Sequence, residues 1–524
     1  MYRLFEQRLS RFRNMDRDAS LAGGVIGLEK ESLRVSPDGV IALTPHPMAL
    51  GSALTHQYIT TDYSEALIEL ITPPLPDAET ALGFLRDTHK FVHENLGDEF
   101  LWSASMPCVL PGGEGIPIAQ YGDSNAGIMK TVYRRGLGHR YGRVMQVIAG
   151  VHFNYSLPME LWPLLQDLEG ATDDPARFRD DRYFGLIRNL QRYGWLIPYL
   201  FGASPAVCKS YLQNKAPHFS EFNATTYFQP FATSLRMGNI GYTNRQEEGV
   251  GVKACYDDLE SYVDSLIRAI ETPCPRWQKI GVVVNGRFEQ LNANLLQIEN
   301  EYYSTVRPKQ PVQWMEKPAL ALRRRGVQYV ELRSLDVNPF HPLGISKEQI
   351  RFLEAFMLFC LLQESPRISP AEQREIDQNL ELTAHRGREP LLQLQRQGSE
   401  VRLSDWAAEL CDRVQEVCGV LDAVTGDDRY TTALAEQRAA VADPERTPSA
   451  RMLAEMRENG EGFFQFAQRV SQQHHHYFQT VALTEERRRL FQEEAERSRE
   501  QQRLLEQRDS RPFAEFLQDY FAQH

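Results

Sequence analysis

The chain has 524 residues, 42% of them hydrophobic, and a formal net charge of −12 at pH 7. This acidic balance argues against a nucleic-acid-binding protein, which normally carries a basic face. Seven scattered cysteines without a C-x-x-C pair predict reduced thiols. There is no apolar signal region at the N-terminus, and the longest apolar run, residues 356–362, is too short to span a bilayer. We therefore expect a cytoplasmic protein that does not bind membranes.

The first 350 residues mix predicted strands and helices. In chain order the patterns predict an amphipathic helix at the N-terminus, strands over 24–75, a helix over 77–98, a basic helix over 130–143 and a buried helix over 181–203. Asn285 and Gly286 then predict a tight hairpin of the I′ kind. Because strands and helices do not alternate regularly, the pattern predicts an α+β fold with a mainly antiparallel sheet.

The last third of the chain has a different composition. Capping boxes at residues 346–349 and 369–372 predict two helix starts. From about residue 365 strand signals fade, and Gln, Glu, Arg and Leu dominate to the end. We therefore predict a catalytic core over 1–364 and a helical C-terminal region over 365–524 that packs on the core.

Four predicted strands carry charged residues on one face. They are residues 27–34, 66–71, 151–156 and 329–334. Residues two apart on a strand share a face. The pairs that share a face are Glu29 with Glu31, His152 with Asn154, and Glu331 with Arg333. Carboxylates with an imidazole and an arginine suit divalent cations that hold a polyphosphate.

No P-loop, Rossmann or G-x-S-x-G motif is present, so a nucleotide site would need metals and arginines. The charged strands, together with other stretches, closely resemble the bacterial (type 1) glutamate–cysteine ligase family. The other similar stretches include residues 50–56, 60–62, 105–108, 199–205, 297–301 and 331–336. The resemblance implies a fold like that of glutamine synthetase, an antiparallel sheet funnel whose inner face holds metals, with surrounding helices.

The resemblance also implies the reaction. An enzyme of this family joins the γ-carboxyl of L-glutamate to the amine of L-cysteine through γ-glutamyl phosphate, with ATP as co-substrate and ADP as product. This is the first step of glutathione biosynthesis, and glutathione is an expected feedback inhibitor. The implied metal is Mg²⁺, with Mn²⁺ as an alternative, and we expect a monomer.

Roles can be carried over residue by residue from the resemblance. The implied metal ligands are Glu29, Glu31, Asp62, Glu69, His152 and Glu331. The implied substrate-binding residues are Tyr133, Arg134, Gln146, Asn154, Arg236, Tyr242 and Tyr303. Arg333 is expected to brace the transferring phosphoryl group as the catalytic residue. Whether Glu299 and Glu301 reach the site is left open.

Two other functions remain open from the sequence. The first is a related carboxylate–amine ligase with a different amine acceptor, which would differ only in the side chains of its pocket. The second is of another class, a metal-dependent phosphohydrolase or a silent helical interaction protein. A hydrolase would consume ATP without an amine, and a scaffold would not bind Mg²⁺–ATP.

Overall fold

The computed structural model describes residues 2–14, 21–107, 109–212, 218–241 and 253–523. The first helices are α1 (Arg3–Asn14), α2 (Ala78–Glu94), α3 (Asn125–Tyr141), α4 (Leu161–Glu169), α5 (Pro175–Tyr193), α6 (Leu196–Phe201), α7 (Leu259–Glu271), α8 (Pro275–Gln278) and α9 (Pro318–Arg325). The remaining helices are α10 (Lys347–Leu362), α11 (Pro370–Arg386), α12 (Leu403–Thr425), α13 (Arg429–Ala442), α14 (Pro448–Glu458), α15 (Phe463–Thr480), α16 (Glu485–Arg508) and α17 (Phe513–Phe521).

The strands of the described residues belong mostly to one large sheet. Its strands are β1 (Val25–Val35), β2 (Ile59–Thr61), β3 (Leu67–Ile71), β4 (Phe100–Leu101), β5 (Val151–Ser156), β11 (Val306–Lys309) and β12 (Tyr329–Leu335). Smaller sheets contain β6 (Ala206–Cys208), β7 (Ser220–Glu221), β8 (Thr226–Phe228), β9 (Val283–Val284), β10 (Arg287–Phe288), β13 (Gln393–Arg396) and β14 (Ser399–Arg402).

The large sheet is antiparallel and runs in the order β11-β12-β5-β1-β3-β2, with β4 paired to the far end of β1. The four charged strands predicted from the sequence are therefore four neighbours, β12, β5, β1 and β3. Their registers place Glu29 opposite His152, and Glu31 opposite Glu69. Glu331 lies opposite Asn154. The antiparallel α+β prediction is confirmed, and the shared polar face is continuous across four strands.

The reverse face of the sheet is packed by helices. Helix α2 contacts β1 and β3, and α15 packs on α2 and β4. Helix α2 begins as predicted, because the Asp77 side chain accepts a hydrogen bond from the Thr80 N–H at 2.8 Å. Leu28 and Lys30 of β1 are buried on this reverse side, whereas Glu29 and Glu31 point to the other. The sheet thus separates a polar face from a packed core.

The helical C-terminal region packs on the same hydrophobic core as the first 364 residues. Phe491 of α16 contacts Phe84 of α2 with ring centroids 5.7 Å apart. Trp102 likewise packs on Phe464 of α15, with ring centroids 6.2 Å apart. The division of the chain at residue 364 stays a prediction. No helix among the described residues has the length and apolar character that crossing a membrane requires.

The predicted helical region over 365–524 also contains one pair of strands among its described residues. Strands β13 and β14 form a hairpin there, and both turn residues, Gln397 and Gly398, have positive φ (53° and 78°). The strands are short and mostly polar, and only Leu394 is fully buried. Strands are predicted from the alternation of apolar and polar residues, and a four-residue strand with one buried side chain shows almost none.

Two local helix predictions need correction. The single helix predicted over 181–203 is two helices, α5 and α6, which meet near Gly194. Ser369 caps α11 as predicted, accepting from the Glu372 N–H at 3.2 Å. The Glu372 carboxylate does not complete a capping box, because it binds the Arg192 guanidinium instead. Ser346 and Gln349 do form the predicted box at α10.

Candidate active site

The polar face brings five of the six predicted metal ligands together, with four carboxylates around a single imidazole. One group consists of Glu29, His152 and Glu331, and the other of Glu31, Glu69 and His152. Within each group, one ligand atom per residue lies within 4.8 Å of the others. Antiparallel pairing of β12, β5, β1 and β3 produces this arrangement, since each strand contributes side chains from alternate positions.

Hydrogen bonds fix the orientation of the imidazole. His152 Nδ1 lies 2.9 Å from Glu29 Oε2, and Asn154 donates from Nδ2 to Glu29 Oε1 at 3.0 Å. On the other side of the ring, His152 Nε2 lies 3.9 Å from Glu31 Oε1. The Gly150 N–H donates to Glu31 Oε2 at 2.7 Å. Both carboxylates are therefore held by strand β5 or the residue just before it.

The side of the cluster next to β3 has an excess of carboxylates. Burial raises the pKa of Glu69 well above its ordinary range, and repulsion from Glu29, Asp62 and Glu31 adds to the rise. Burial also raises the pKa of Glu31, although the neighbouring His152 partly offsets the effect. These carboxyl groups are held close together with too few protein cations to neutralise them, which favours the binding of added cations.

The other side of the cluster is neutralised by the protein itself. Burial alone would raise the pKa of Glu331, but the Lys309 and Arg333 cations outweigh it and lower that pKa. Burial likewise opposes ionisation of Glu29, yet its hydrogen bond with His152 prevails and its pKa is lowered. Both groups are therefore carboxylates at neutral pH, ready to accept cations or donors.

The donor set fits hard divalent cations. Carboxylate oxygens with one imidazole suit Mg²⁺ or Mn²⁺. Glu331 Oε2 is buried and, among the described residues, has no hydrogen-bond partner. Since a buried carboxylate oxygen without a partner is costly, this atom is a natural ligand position.

Two basic side chains flank Glu331. Arg333 NH1 lies 3.0 Å from Glu331 Oε1, and Lys309 Nζ lies 3.4 Å from the same atom. Arg333 shares the face of Glu331 as the alternation predicts, but Lys309 was not predicted. Pro308 interrupts the strand pattern before it, and β11 tolerates this proline because it is the edge strand of the sheet. The one sequence signal for Lys309 was its two-residue spacing from Arg307, which would place both basic side chains on the same face of a strand.

Asp62 lies beside the carboxylates but belongs to neither group. Its side chain is about half exposed, with 47% of its surface accessible, and Arg134 NH2 lies 4.0 Å from Asp62 Oδ1. Arg134 also donates from Nε to the Asp62 carbonyl and stacks 4.6 Å above the Tyr121 ring. The Tyr121 hydroxyl in turn donates to the Thr61 carbonyl at 2.7 Å. Helix α3 thus holds the loop that carries Asp62.

The predicted substrate residues differ in their location and in how deeply they are buried. Tyr303 donates to Gln146 Oε1 at 3.0 Å, and it borders a cavity of about 1170 Å³ together with Met237 and Thr305. One wall of this cavity is tied to the strand of Arg333, since the Thr305 carbonyl accepts from the Arg333 N–H at 2.8 Å. Tyr133, on α3, is half-buried. Tyr242 lies outside the described residues.

Arg236, a predicted substrate-binding residue, is almost fully buried. It is 1% exposed, and its NH2 donates to the Arg333 carbonyl at 2.9 Å. Its NH1 lies 4.0 Å from Asp336 Oδ1. The guanidinium lies directly against Gly150, where an added Cβ would collide with it. Arg236 therefore supports β12, which carries Arg333, and Gly150, whose N–H holds Glu31.

The two glutamates left open by the sequence have structural partners. Glu301 forms a fully buried ion pair with Arg140 at 2.7 Å and accepts from the Tyr141 hydroxyl at 2.7 Å. Glu299 accepts from the Ala319 N–H at 3.4 Å. These carboxylates therefore stabilise the loop that precedes β11 and are absent from both acidic groups.

Comparison with known proteins agrees with this geometry. A family model described as glutamate-cysteine ligase matches residues 9–383. A glutamate–cysteine ligase from Azotobacter vinelandii is 49% identical over 525 residues, covering 100% of this chain and 99% of the relative. One from Pseudomonas putida is 51% identical over 446 residues, 85% of each chain.

Two solved structures are similar to this chain. The crystal structure of glutamate–cysteine ligase from Francisella tularensis in complex with AMP matches with a TM-score of 0.89 and 35% identity, over 95% of this chain and 98% of that one. A bifunctional glutathione synthetase from Pasteurella multocida matches with a TM-score of 0.70 and 26% identity, over 90% of this chain and 55% of that one. By its family match and its near-full-length relatives, the chain belongs to the glutamate–cysteine ligase family.

Proposed function

We propose that this ligase forms γ-glutamylcysteine on the polar face of its large sheet, converting ATP to ADP through γ-glutamyl phosphate. The observation that carries the proposal is the pair of acidic groups around His152, with Arg333 beside Glu331. A carboxylate is a poor acyl donor, and its phosphorylation creates a good leaving group. The AMP complex of the Francisella tularensis relative supports a nucleotide site in the same fold.

The hydrogen bonds of His152 support distinct roles for the two acidic groups. A neutral imidazole has one lone-pair nitrogen. We assign the proton to Nδ1, because this atom faces Glu29 Oε2 at 2.9 Å, which leaves Nε2 free towards Glu31 and Glu69. Glu29 then orients the imidazole as an outer partner as well as offering its own oxygens.

The groups that would hold Mg²⁺, or Mn²⁺ as an alternative, are therefore the two acidic groups, with Asp62 at their edge. Such cations neutralise charge on the phosphates of ATP. Arg333 has a fixed guanidinium beside the cluster, which suits it to stabilise the spread negative charge of the transferring phosphoryl group. The alternative role for Arg333 is an ion pair with Glu331 alone.

The cavity next to Tyr303 is the proposed amino-acid pocket. Gln146 Nε2 and Asn154 Oδ1 are buried and, in the described part of the chain, have no hydrogen-bond partner, so both can bind an amino acid. Arg134 and Arg236 suit carboxylate or phosphate oxygens, and Tyr133 and Tyr242 complete the proposed set. A product-like peptide such as glutathione would compete for this pocket, which is our hypothesis for feedback inhibition.

Cytoplasmic location and a monomeric state remain predictions. The described cysteines are all free thiols, as expected for a reducing compartment. Inhibition by millimolar glutathione that is competitive with L-glutamate would support the feedback hypothesis, and full activity at that concentration would contradict it.

The experiment that tests the function is ADP release with Mg²⁺–ATP, L-glutamate and L-cysteine, followed by omission of each amino acid. The proposal predicts turnover only with both, and a γ-glutamyl dipeptide as product. Turnover with glutamate and a different amine would keep the mechanism and change the acceptor. ADP release without any amine would instead indicate a phosphohydrolase.

A further inference from the structure

We propose that Lys309 is a second catalytic cation, which contacts the terminal phosphates of ATP from the opposite side of Glu331 to Arg333. The proposal rests on the function proposed above and adds a residue to that site. The position of the lysine on the sheet, the contacts of its ammonium and the contrast with neighbouring cations carry the argument.

The first observation is the position of Lys309 at the open edge of the polar face. It ends β11, the edge strand, and lies opposite Tyr329 of β12. Tyr329, Glu331 and Arg333 alternate along β12, so Lys309 shares their face. No further strand of the described sheet covers this edge. A long triphosphate bound over the acidic groups could therefore extend to Lys309 without disturbing strand pairing.

The second observation is the state of the ammonium group. Lys309 Nζ lies 3.4 Å from Glu331 Oε1, and 31% of the side-chain surface is accessible. Lysine has three N–H donors. One long contact to a carboxylate leaves donors available to phosphate oxygens, which bind ammonium groups strongly.

The third observation is that two other cations of this part of the chain are bonded to backbone carbonyls. Arg307, two residues earlier on β11, donates from NH2 to the Asn300 carbonyl at 3.1 Å and to the Tyr302 carbonyl. Lys317 donates from Nζ to the Phe521 and Gln523 carbonyls, at 2.8 and 3.1 Å. These contacts fix loops and the C-terminal helix. Lys309 differs because its observed contact is a side chain of the catalytic face.

A structural role for Lys309 makes a different prediction. If the lysine only orients Glu331, its loss would weaken cation binding and leave nucleotide contacts intact at saturating Mg²⁺. If it contacts the terminal phosphates, its loss would weaken ATP but spare AMP, which lacks those phosphates. Comparing the two nucleotides therefore separates the roles without requiring turnover.

The test uses K309M, K309R and, as a matched control, K347M. Lys347 lies in the first turn of α10, is about half exposed and pairs with Glu348 at 3.7 Å. Calorimetry would measure binding of AMP and of β,γ-methylene-ATP to the full chain at saturating Mg²⁺. We expect K309M to weaken the ATP analogue by about 10- to 100-fold. AMP affinity should change less than about threefold, K309R should recover part of the loss, and K347M should match the wild type.

Kinetics give a second, independent outcome. K309M should lower kcat/KM for ATP by about 100-fold or more, while KM for L-glutamate stays within about threefold. Unchanged affinity for the ATP analogue, or an equal loss for both nucleotides, would overturn the proposal. If K309M raised only the Mg²⁺ concentration needed for activity and left nucleotide affinity unchanged, the proposal would also be overturned. Lys309 would then be a positioning residue for Glu331. A wild type that binds the analogue through Lys309 but forms no dipeptide would instead contradict the proposed function.

Discussion

The two faces of strand β1 both bury ionisable groups, but they treat charge differently. Glu29 and Glu31 point to the polar face, where His152 lies within 4 Å of both. Lys30 points to the reverse face, where it donates to Ser32 Oγ and lies near histidines of α2 and α15. The polar face combines acids with bases, whereas the neighbours of Lys30 on α2 and α15 include the histidines His89, His93 and His474.

Burial neutralises the reverse face. It lowers the pKa of Lys30 to about 7, and it lowers the pKa values of His89 and His93 well below the ordinary range, with repulsion among these groups adding to the fall. The His89 ring stacks on Phe478 at 5.0 Å, and neither of its nitrogens has a hydrogen-bond partner among the described residues. His89 and His93 therefore pack as neutral side chains, and Lys30 is only partly protonated at neutral pH. Both faces cluster ionisable residues, but only the polar face keeps carboxylates and cations ionised side by side. We therefore expect a ligand site on the polar face and not on the reverse face.

The largest effect is expected on the polar face from R333A. Loss of the fixed guanidinium should lower kcat by about 1000-fold, because charge on the transferring phosphoryl group loses its stabilisation. Steady-state kinetics at saturating substrates would measure it. R323A is the control, since Arg323 is a partly exposed arginine that pairs with Glu260 and Asp264 on α7. A kcat close to that of the wild type in R333A would remove Arg333 from the mechanism.

A smaller effect is expected from E29Q. Glu29 faces His152 Nδ1 at 2.9 Å and orients the imidazole. Replacing such an outer partner typically lowers metal affinity by about 10- to 100-fold. The Mg²⁺ concentration that gives half-maximal activity should rise by this factor, with recovery at high Mg²⁺. An unchanged Mg²⁺ requirement would contradict the assigned proton on Nδ1.

The sequence allowed these face assignments because alternation along a strand is local. Glu29 and Glu31, or Glu331 and Arg333, share a face whatever the strand pairs with. The partners across strands are not local, so the register that brings Glu69 opposite Glu31 required the structure.

The residues that sequence reasoning missed or left open depend on distant partners. Lys309 follows Pro308 in a four-residue strand, too short and too irregular for a periodic signal. Glu301 has the same two-residue spacing from Glu299 as the proposed metal ligands Glu29 and Glu31 have from each other. Its ion pair with Arg140, distant in sequence, gives it a structural role instead.

On the reverse face, K30M should change stability rather than catalysis. The folded pKa of Lys30, about 7, lies below the ordinary value of 10.5. Between these values the unfolded chain binds a proton that the folded chain lacks, so wild-type stability should rise with pH. Relative to K30M, the wild type should gain about 2 kcal/mol between pH 7 and 9.

Denaturant unfolding at both pH values would measure this difference, and kcat should stay within about threefold in K30M. A pH dependence of stability that is the same in both proteins would show that Lys30 is not neutralised by burial.

The smallest effect is expected from H89F. Because the folded pKa of His89 is lowered, the unfolded chain takes up a proton as pH falls below about 6.5 and the folded chain does not. The free energy of unfolding of the wild type should therefore fall as the pH is lowered. Between pH 7 and 5.5, H89F should lose about 1 kcal/mol less of it than the wild type. Thermal unfolding across this range would measure it, and parallel curves would contradict the assignment.

The most direct test of the contrast between the faces is a titration of the wild type, E331Q and K30M with Mn²⁺. Electron paramagnetic resonance would measure the free Mn²⁺ at each step, and the bound Mn²⁺ follows by difference. Far-UV circular dichroism would confirm that each variant is folded. The polar face should bind Mn²⁺ equally in the wild type and K30M, and E331Q should lose at least one site. Equal binding by all three proteins would contradict the placement of the metal site on the polar face of the sheet.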